Sequence, residues 1–320
     1  MSVRRGLIRL PLWAQTATGI VLTAGLAMVA LGAVVPPRWL APRPSGFPVD
    51  LEQAASSAAD RWRNAVNAVA AARGVAPDEA LIGSEMGPLV TTLGEIEAKR
   101  VSVSPAWPRA LVREFHRAGL RPGGVVAASF SGSFPGINLA VMSAAQAMGL
   151  QVVAVSSVTA SSWGATDPGF TWPEVEARLV DAGILRRATV AVSAGGDGDR
   201  ALDLDEDGRV LAQEIAARCA RRLRARLIDP DDFEASVRAR LDAFDAARDG
   251  RPIAAFVNVG GTEAALGRSP AILKVQNGWL GKAPFDPSPG RGLVARMVEQ
   301  GVPVLHVLNV RALAVRWGIL

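Results

Sequence analysis

The sequence predicts an α/β protein: a three-layer sandwich on a mainly parallel, doubly wound, Rossmann-like sheet, preceded by one amino-terminal transmembrane helix. Three observations carry that prediction. Five short runs rich in β-branched residues alternate with longer amphipathic stretches. The runs are apolar throughout, as strands covered on both faces must be. A charge-free stretch of two dozen residues stands ahead of them.

That stretch, Leu12 to Val35, is long enough as a helix to cross a hydrocarbon layer of roughly 30 Å. Trp13 and Trp39 bracket it at interfacial depths. Ala30-Leu31-Gly32 offers a signal-peptidase pattern, but the apolar run exceeds a usual signal core, so the sequence predicts an uncleaved anchor. Residues 1–11 then lie in the cytoplasm, 12–35 in the membrane, and the Pro-rich 36–48 forms a stiff stalk. Arg4, Arg5 and Arg9 before the span place the amino terminus inside and the body, 49–320, outside.

The charge balance narrows the function classes. The chain has 35 basic and 30 acidic residues, and the first 43 residues hold five arginines and no acid, so the body balances at zero. The excess flanks the anchor rather than forming a basic track, which argues against nucleic acid as a partner. The single cysteine, Cys219, excludes an intrachain disulfide and a multi-cysteine metal site; its helical setting predicts a small core residue.

Within the body, LEQAASSAADRWRNAVNAVAAARG predicts a helix that stops at Gly74. Strands are expected at 125–131, 151–158, 188–194, 252–259 and 302–309, with helices near 107–119, 136–149, 172–183, 208–226, 231–248 and 290–300. Thr171-Trp-Pro-Glu174 has the form of a capping box with proline near the helix start. Right-handed crossovers between such strands give a parallel sheet. Residues 197–250 are long enough to hold a small helical insertion.

Ligands of open α/β sheets collect beyond the carboxyl ends of the strands. Here those ends share small and hydroxylated residues: Ser131-Gly132-Ser133, SSVTASSWGA, Gly195-Gly196 and Gly260-Gly261-Thr262. Such turns let a ligand approach the backbone and offer it donors. Turns after strands also favour Gly and Ser for conformational reasons alone. The first turn departs from the G-x-S-x-G elbow of a serine hydrolase, lacking its first glycine. A hydrolase would need a base, and His116 falls in a helix and His306 inside an apolar strand. A Ser131/His306 dyad is the catalytic alternative, with Ser133 as the other candidate nucleophile. The binding reading is a cradle of Ser131, Gly132, Ser133 and Asn138 beside the start of helix 136–149, with Pro135 in its first turn. Neither a P-loop nor G-x-G-x-x-G is present, so nucleotide binding is unsupported.

Residues 203–214, DLDEDGRVLAQE, match a calcium loop, with Asp203, Asp205, Asp207 and Glu214 as the carboxylate ligands. The preceding SAGGDGDRAL is not an incoming helix, and the alternative is an acidic helix start capped by Asp205 or Asp207. No other cofactor is called for.

In combination, EMGPLVTTLGEIEAKR (85–100), SGSFPGINLAV (131–141), SSWGATDPGFTWPEVE (161–176) and FVNVGG (256–261) resemble the poly-gamma-glutamate system protein family (PgsW-like). The likeness spans about residues 80 to 265. It implies a membrane-anchored accessory protein of poly-γ-glutamate biosynthesis, capsule assembly or export. Polymer or a glutamyl precursor, partner membrane subunits of the synthase or exporter, and the lipid bilayer would be its partners. It carries no catalytic residues with it. The enzymatic alternative is a serine-dependent amidase or γ-glutamyl hydrolase or transferase acting on the polymer. Lys99 and Arg100 are further candidates for holding an anion; the alternative is ion pairing with Glu95 and Glu97.

Overall fold

The computed structural model of the protein describes residues 49–281 and 290–320. The anchor expected at 12–35 and the stalk at 36–48 lie outside the described residues. Among the described residues no helix is long and apolar enough to cross a membrane.

In chain order α1 (Val49–Arg73) is followed by β1 (Val90–Thr92), α2 (Ile96–Ser102), α3 (Trp107–Arg117), β2 (Val125–Phe130), α4 (Pro135–Ala147), β3 (Gln151–Ser157) and β4 (Ala160–Ser161). Then come α5 (Trp172–Asp181), β5 (Thr189–Ser193), α6 (Glu206–Leu223), β6 (Arg226–Ile228), α7 (Phe233–Ala247) and β7 (Ile253–Val259). Last are α8 (Glu263–Leu266), β8 (Gly278–Leu280), α9 (Leu293–Glu299), β9 (Val304–Val307) and α10 (Val310–Arg316).

Seven strands form the central sheet in the order β6-β5-β3-β2-β7-β9-β8. Every pair is parallel except β8 with β9, which closes the edge antiparallel. From β2 the chain steps outward through β3 and β5 to β6, then returns past β2 to lay down β7 and β9. The winding direction therefore reverses between β2 and β7, the place where such sheets open a crevice at their carboxyl ends.

Both faces of the sheet are covered, which is why the strand runs read as continuously apolar. All six residues of β2 are buried. Val125, Ala127, Val153, Val155, Ala191, Phe256 and Val304 pack with Phe233, Val237 and Phe244 of α7 and Leu293, Val294 and Met297 of α9. Their neighbours along each strand point the other way. Phe130 meets Trp172 of α5 edge-to-face at 5.7 Å, and Val192 packs with Ile215, Ala216 and Cys219 of α6. Burying each large side chain contributes about 1.5–3 kcal/mol over leaving it exposed. Cys219 is fully buried, and burial followed by the nearby Glu174 pushes its thiol up to about 12, so it is an inert core residue.

Two local expectations need correction. Thr171 does occupy the cap position of α5, but its hydroxyl makes no cap hydrogen bond. Glu174 is drawn away to Arg218 and Arg222 of α6, at 2.8 and 3.1 Å, so the reciprocal half of the capping box is spent on helix–helix contact. The segment 197–250 is not an insertion: its helices α6 and α7 cover opposite faces of the sheet, and β6 extends it. A buried carboxylate fixes the entry to β5. Glu176 accepts from the N–H groups of Ala188 and Thr189, both at 2.8 Å, and burial raises its pKa.

Candidate functional site

The turns after β2, β3, β5 and β7 meet at a single cleft of about 560 Å³. Ser131 and Ser133 come from the first turn, Thr159, Ala160 and Ser161 from the second, Gly196 and Asp197 from the third, and Gly261 and Thr262 from the fourth. A fifth wall, 91–99, arrives because β1 pairs in parallel with β4, carrying Thr91 to Lys99 over the opening.

Close backbone approach explains the glycines between these residues. A Cβ on Gly132 would stand 2.9 Å from the Thr159 carbonyl oxygen, and one on Gly260, where φ is +87°, 2.0 Å from Ser131 Oγ. The Ser131 N–H donates to the Val259 carbonyl at 3.2 Å, so the turn stays tied to β7 after β2 ends. Asn138 is fully buried and donates its Nδ2 to the Ser131 carbonyl at 2.8 Å. Its amide clamps the turn from behind. Gly132, Asn138, Gly195 and Gly260 thus shape the cleft without lining it, whereas Ser131, Ser133, Gly196 and Gly261 line it.

The start of α4 does not face the cleft as a cradle would require. A Cβ at Gly136 would meet the Ser102 carbonyl oxygen at 2.5 Å, and the Gly136 carbonyl accepts from Trp62 Nε1 at 3.3 Å. Packing against α1 and α2 fills that end, and Phe134 is what α4's entry presents to the cleft.

Lys99 supplies the chemistry that the sequence only hinted at. It is 2% exposed, on α2, and its Nζ donates to Ser161 Oγ at 2.7 Å and to the Ser133 carbonyl oxygen. It also stands 4.4 Å from the centre of the Phe134 ring. Arg100 makes the expected pair with Glu97 at 2.6 Å, but Lys99 pairs with neither acid, and Glu95 approaches Arg311 at 3.5 Å. Among the described residues no carboxylate pairs with Lys99. Burial without a counter-ion lowers its pKa from 10.5 to about 7. Ser133 Oγ accepts from the Ser161 N–H at 3.1 Å, and Ser131 Oγ accepts from the Ser133 N–H at 3.2 Å, so the three serines are held in one chain of contacts.

Part of the cleft lining is acidic. Asp197, Asp203 and Glu263 line it from the third and fourth turns and Glu95 from the 91–99 wall, with Arg268 pairing Glu263 at 2.7 Å. Glu263 also accepts from the Gly198 N–H at 2.7 Å, which ties the third and fourth turns together. Beneath the cleft Arg240 of α7, fully buried, binds both oxygens of Asp199 at 2.7 and 2.9 Å. It also donates to Ser157 at 3.0 Å and Ser193 at 2.7 Å, fastening the ends of β3 and β5.

The histidines do not join the cleft. His306 is fully buried in β9 with its Nδ1 3.1 Å from Asn258 Nδ2, and burial lowers its pKa to about 4. The Ser131/His306 pairing is therefore not formed: Ser131 Oγ engages the Ser133 N–H, and His306 faces the α9 side of the sheet, alternating with Leu305. His116 lies on α3.

The calcium loop is replaced by a helix. Asp205 caps α6, its Oδ1 accepting from the Gly208 N–H at 2.8 Å, and Glu206, Asp207 and Glu214 ride on the helix itself. Asp203 accepts instead from the Asp197 N–H at 3.1 Å. Among the described residues no group of three or more His, Cys, Asp or Glu is arranged to hold a metal ion.

Ser161, Asp199 and Arg240 are site and support residues that the sequence did not single out, and Lys99 was named only as a residue that could help hold an anion. A signal for Lys99 existed: the chain uses Arg at all but three of its 35 basic positions, and Lys99 is one of those three. A lysine amine can lose its proton when buried; a guanidinium cannot. Comparisons with protein-family models, curated proteins and solved structures found no match.

Proposed function

We propose that this protein is a membrane-anchored accessory component of poly-γ-glutamate synthesis or export, whose α/β body holds the end of a γ-glutamyl chain. One observation carries the reading: four strand-end turns converge on one cleft lined by a buried amine, three serines and several carboxylates. A glutamyl carboxylate suits Lys99 and the serines, and binding there would draw the amine toward its charged form. The carboxylates of the lining repel further carboxylates and suit an amino terminus. A cleft of about 560 Å³ suits a small ligand or a short chain end rather than a long polyanion. The anchor at 12–35, with the amino terminus inside, would hold the body against the outer membrane surface near partner subunits of the synthase or exporter.

The test is calorimetric titration of the full-length protein with γ-glutamyl oligomers of increasing length. Affinity should plateau after a few residues and weaken about tenfold when Lys99 is replaced by Met. Affinity that keeps rising with length, or that ignores Lys99, refutes the reading.

A further inference from the structure

Lys99 and Ser161 are disposed for more than holding a ligand. A buried amine usually finds a carboxylate or is replaced, because an isolated ammonium in a low-dielectric setting is costly. Lys99 instead has a carbonyl oxygen, an aromatic face and a serine hydroxyl as neighbours. The carbonyl of Ser133 accepts one N–H of the amine, and once the amine is neutral its lone pair can face Ser161 Oγ in place of the N–H that donates there. Ser161 is partly exposed and lines the cleft, with its backbone fixed by the N–H donation to Ser133 Oγ. Room beside the pair is kept by Gly94, where a Cβ would stand 3.2 Å from Ser161 Oγ and 3.4 Å from Lys99 Cε.

We propose that Ser161 Oγ is a nucleophile and Lys99 Nζ its general base, so that the cleft cleaves or transfers a γ-glutamyl amide. This is the Ser–Lys variant of nucleophilic catalysis, in which an amine does the work of a histidine. The inference rests on the reading that the cleft holds a γ-glutamyl chain end. In the first step the Ser161 hydroxyl proton passes to the neutral Lys99 amine, and Oγ forms a bond to the amide carbon. The carbon–nitrogen bond then breaks as the proton on Nζ passes to the departing amine, leaving an ester on Ser161. Water, or the amino group of a second chain, attacks that ester, breaks the Oγ–carbon bond and returns the proton to Ser161. No electrons are gained or lost overall. A lysine with pKa about 7 is available in its neutral form near neutrality, which the base role requires.

The experiment incubates the full-length protein with a γ-glutamyl pentamer and follows shortened products by mass spectrometry, with hydroxylamine added to trap the acyl ester as a hydroxamate. Binding of the same pentamer is measured by calorimetry in parallel. Wild type should give shortened products and hydroxamate, with kcat rising with pH through about 7. Ser161→Ala and Lys99→Met should each lower kcat/KM at least about 100-fold. Arg63→Ala, which removes only the exposed pair with Asp60 on α1, should leave it unchanged. Should Lys99→Met not fold, Ser161→Ala and the wild-type pH profile decide the matter alone. Pentamer bound by wild type with neither product nor hydroxamate overturns the catalytic inference and leaves the binding reading standing. Neither binding nor turnover overturns both. Turnover that survives Ser161→Ala removes Ser161 as the nucleophile.

Discussion

The Asp199–Arg240 pair sets up the sharpest test of how the cleft is held in shape. Both side chains are essentially excluded from solvent, at 1% and 0% exposure, and they bond through both carboxylate oxygens. Arg240 also reaches Ser157 and Ser193, and Asp199 accepts from Ser236 at 2.6 Å and Ser193 at 2.7 Å. Replacing Asp199 by Asn keeps the size and suits the positive φ of 61° at that position, but leaves the guanidinium without a counter-charge. Replacing Arg240 by Met leaves the carboxylate uncompensated. Each single change should cost about 3–5 kcal/mol, the usual penalty for orphaning one member of a buried pair. For a body of this size that is a fall in melting temperature of roughly 6–20 °C, at about 2–4 °C per kcal/mol. The double variant removes both charges and should be less destabilised than the sum of the singles by at least about 2 kcal/mol. Urea unfolding of the four proteins measures this cycle. A single-variant loss below about 1 kcal/mol, or additivity within about 0.5 kcal/mol, would show that the pair does not fasten β3 to β5 as argued.

Two further outcomes follow from the same geometry. Gly260→Ala should lower stability by about 1–3 kcal/mol and displace Ser131, because φ is +87° there and the new methyl would overlap Ser131 Oγ; an unchanged melting temperature would sink the close-approach argument. His306 should make the protein acid-sensitive: with its folded pKa lowered to about 4 from 6.5, its contribution is full above pH 6.5 and is lost as pH falls toward 4. The loss should be about 2–3 kcal/mol at pH 4.5 in wild type and absent in His306→Gln, and parallel pH profiles of the two proteins would refute it.

The five strands that form the middle of the sheet were legible because each is a continuously apolar run, and β2, β3, β5, β7 and β9 fall within the expected spans. The short β1, β4, β6 and β8 were not. β6 sits at the sheet edge with Arg226 and Leu227 exposed, and β1 and β4 exist because they pair with each other. Strands of two or three residues have too few side chains to show a period. The helix stop at Gly74 was readable because φ there is +66°, a conformation glycine adopts without cost. The capping box at Thr171 failed because sequence spacing cannot reveal that Arg218 and Arg222, some 44 residues or more downstream, compete for Glu174.

By itself the sequence determined the layer architecture and the chemical character of the strand-end turns, since apolar periodicity and turn residues act over a few neighbours. Only the tertiary structure decided that those turns share one cleft with acidic residues in its lining. It also decided that Lys99 leaves Glu95 and Glu97 for Ser161, 62 residues away. Burial and counter-ion supply are set by what packs around a side chain, and the β1–β4 pairing that brings Lys99 over the opening joins segments about 70 residues apart.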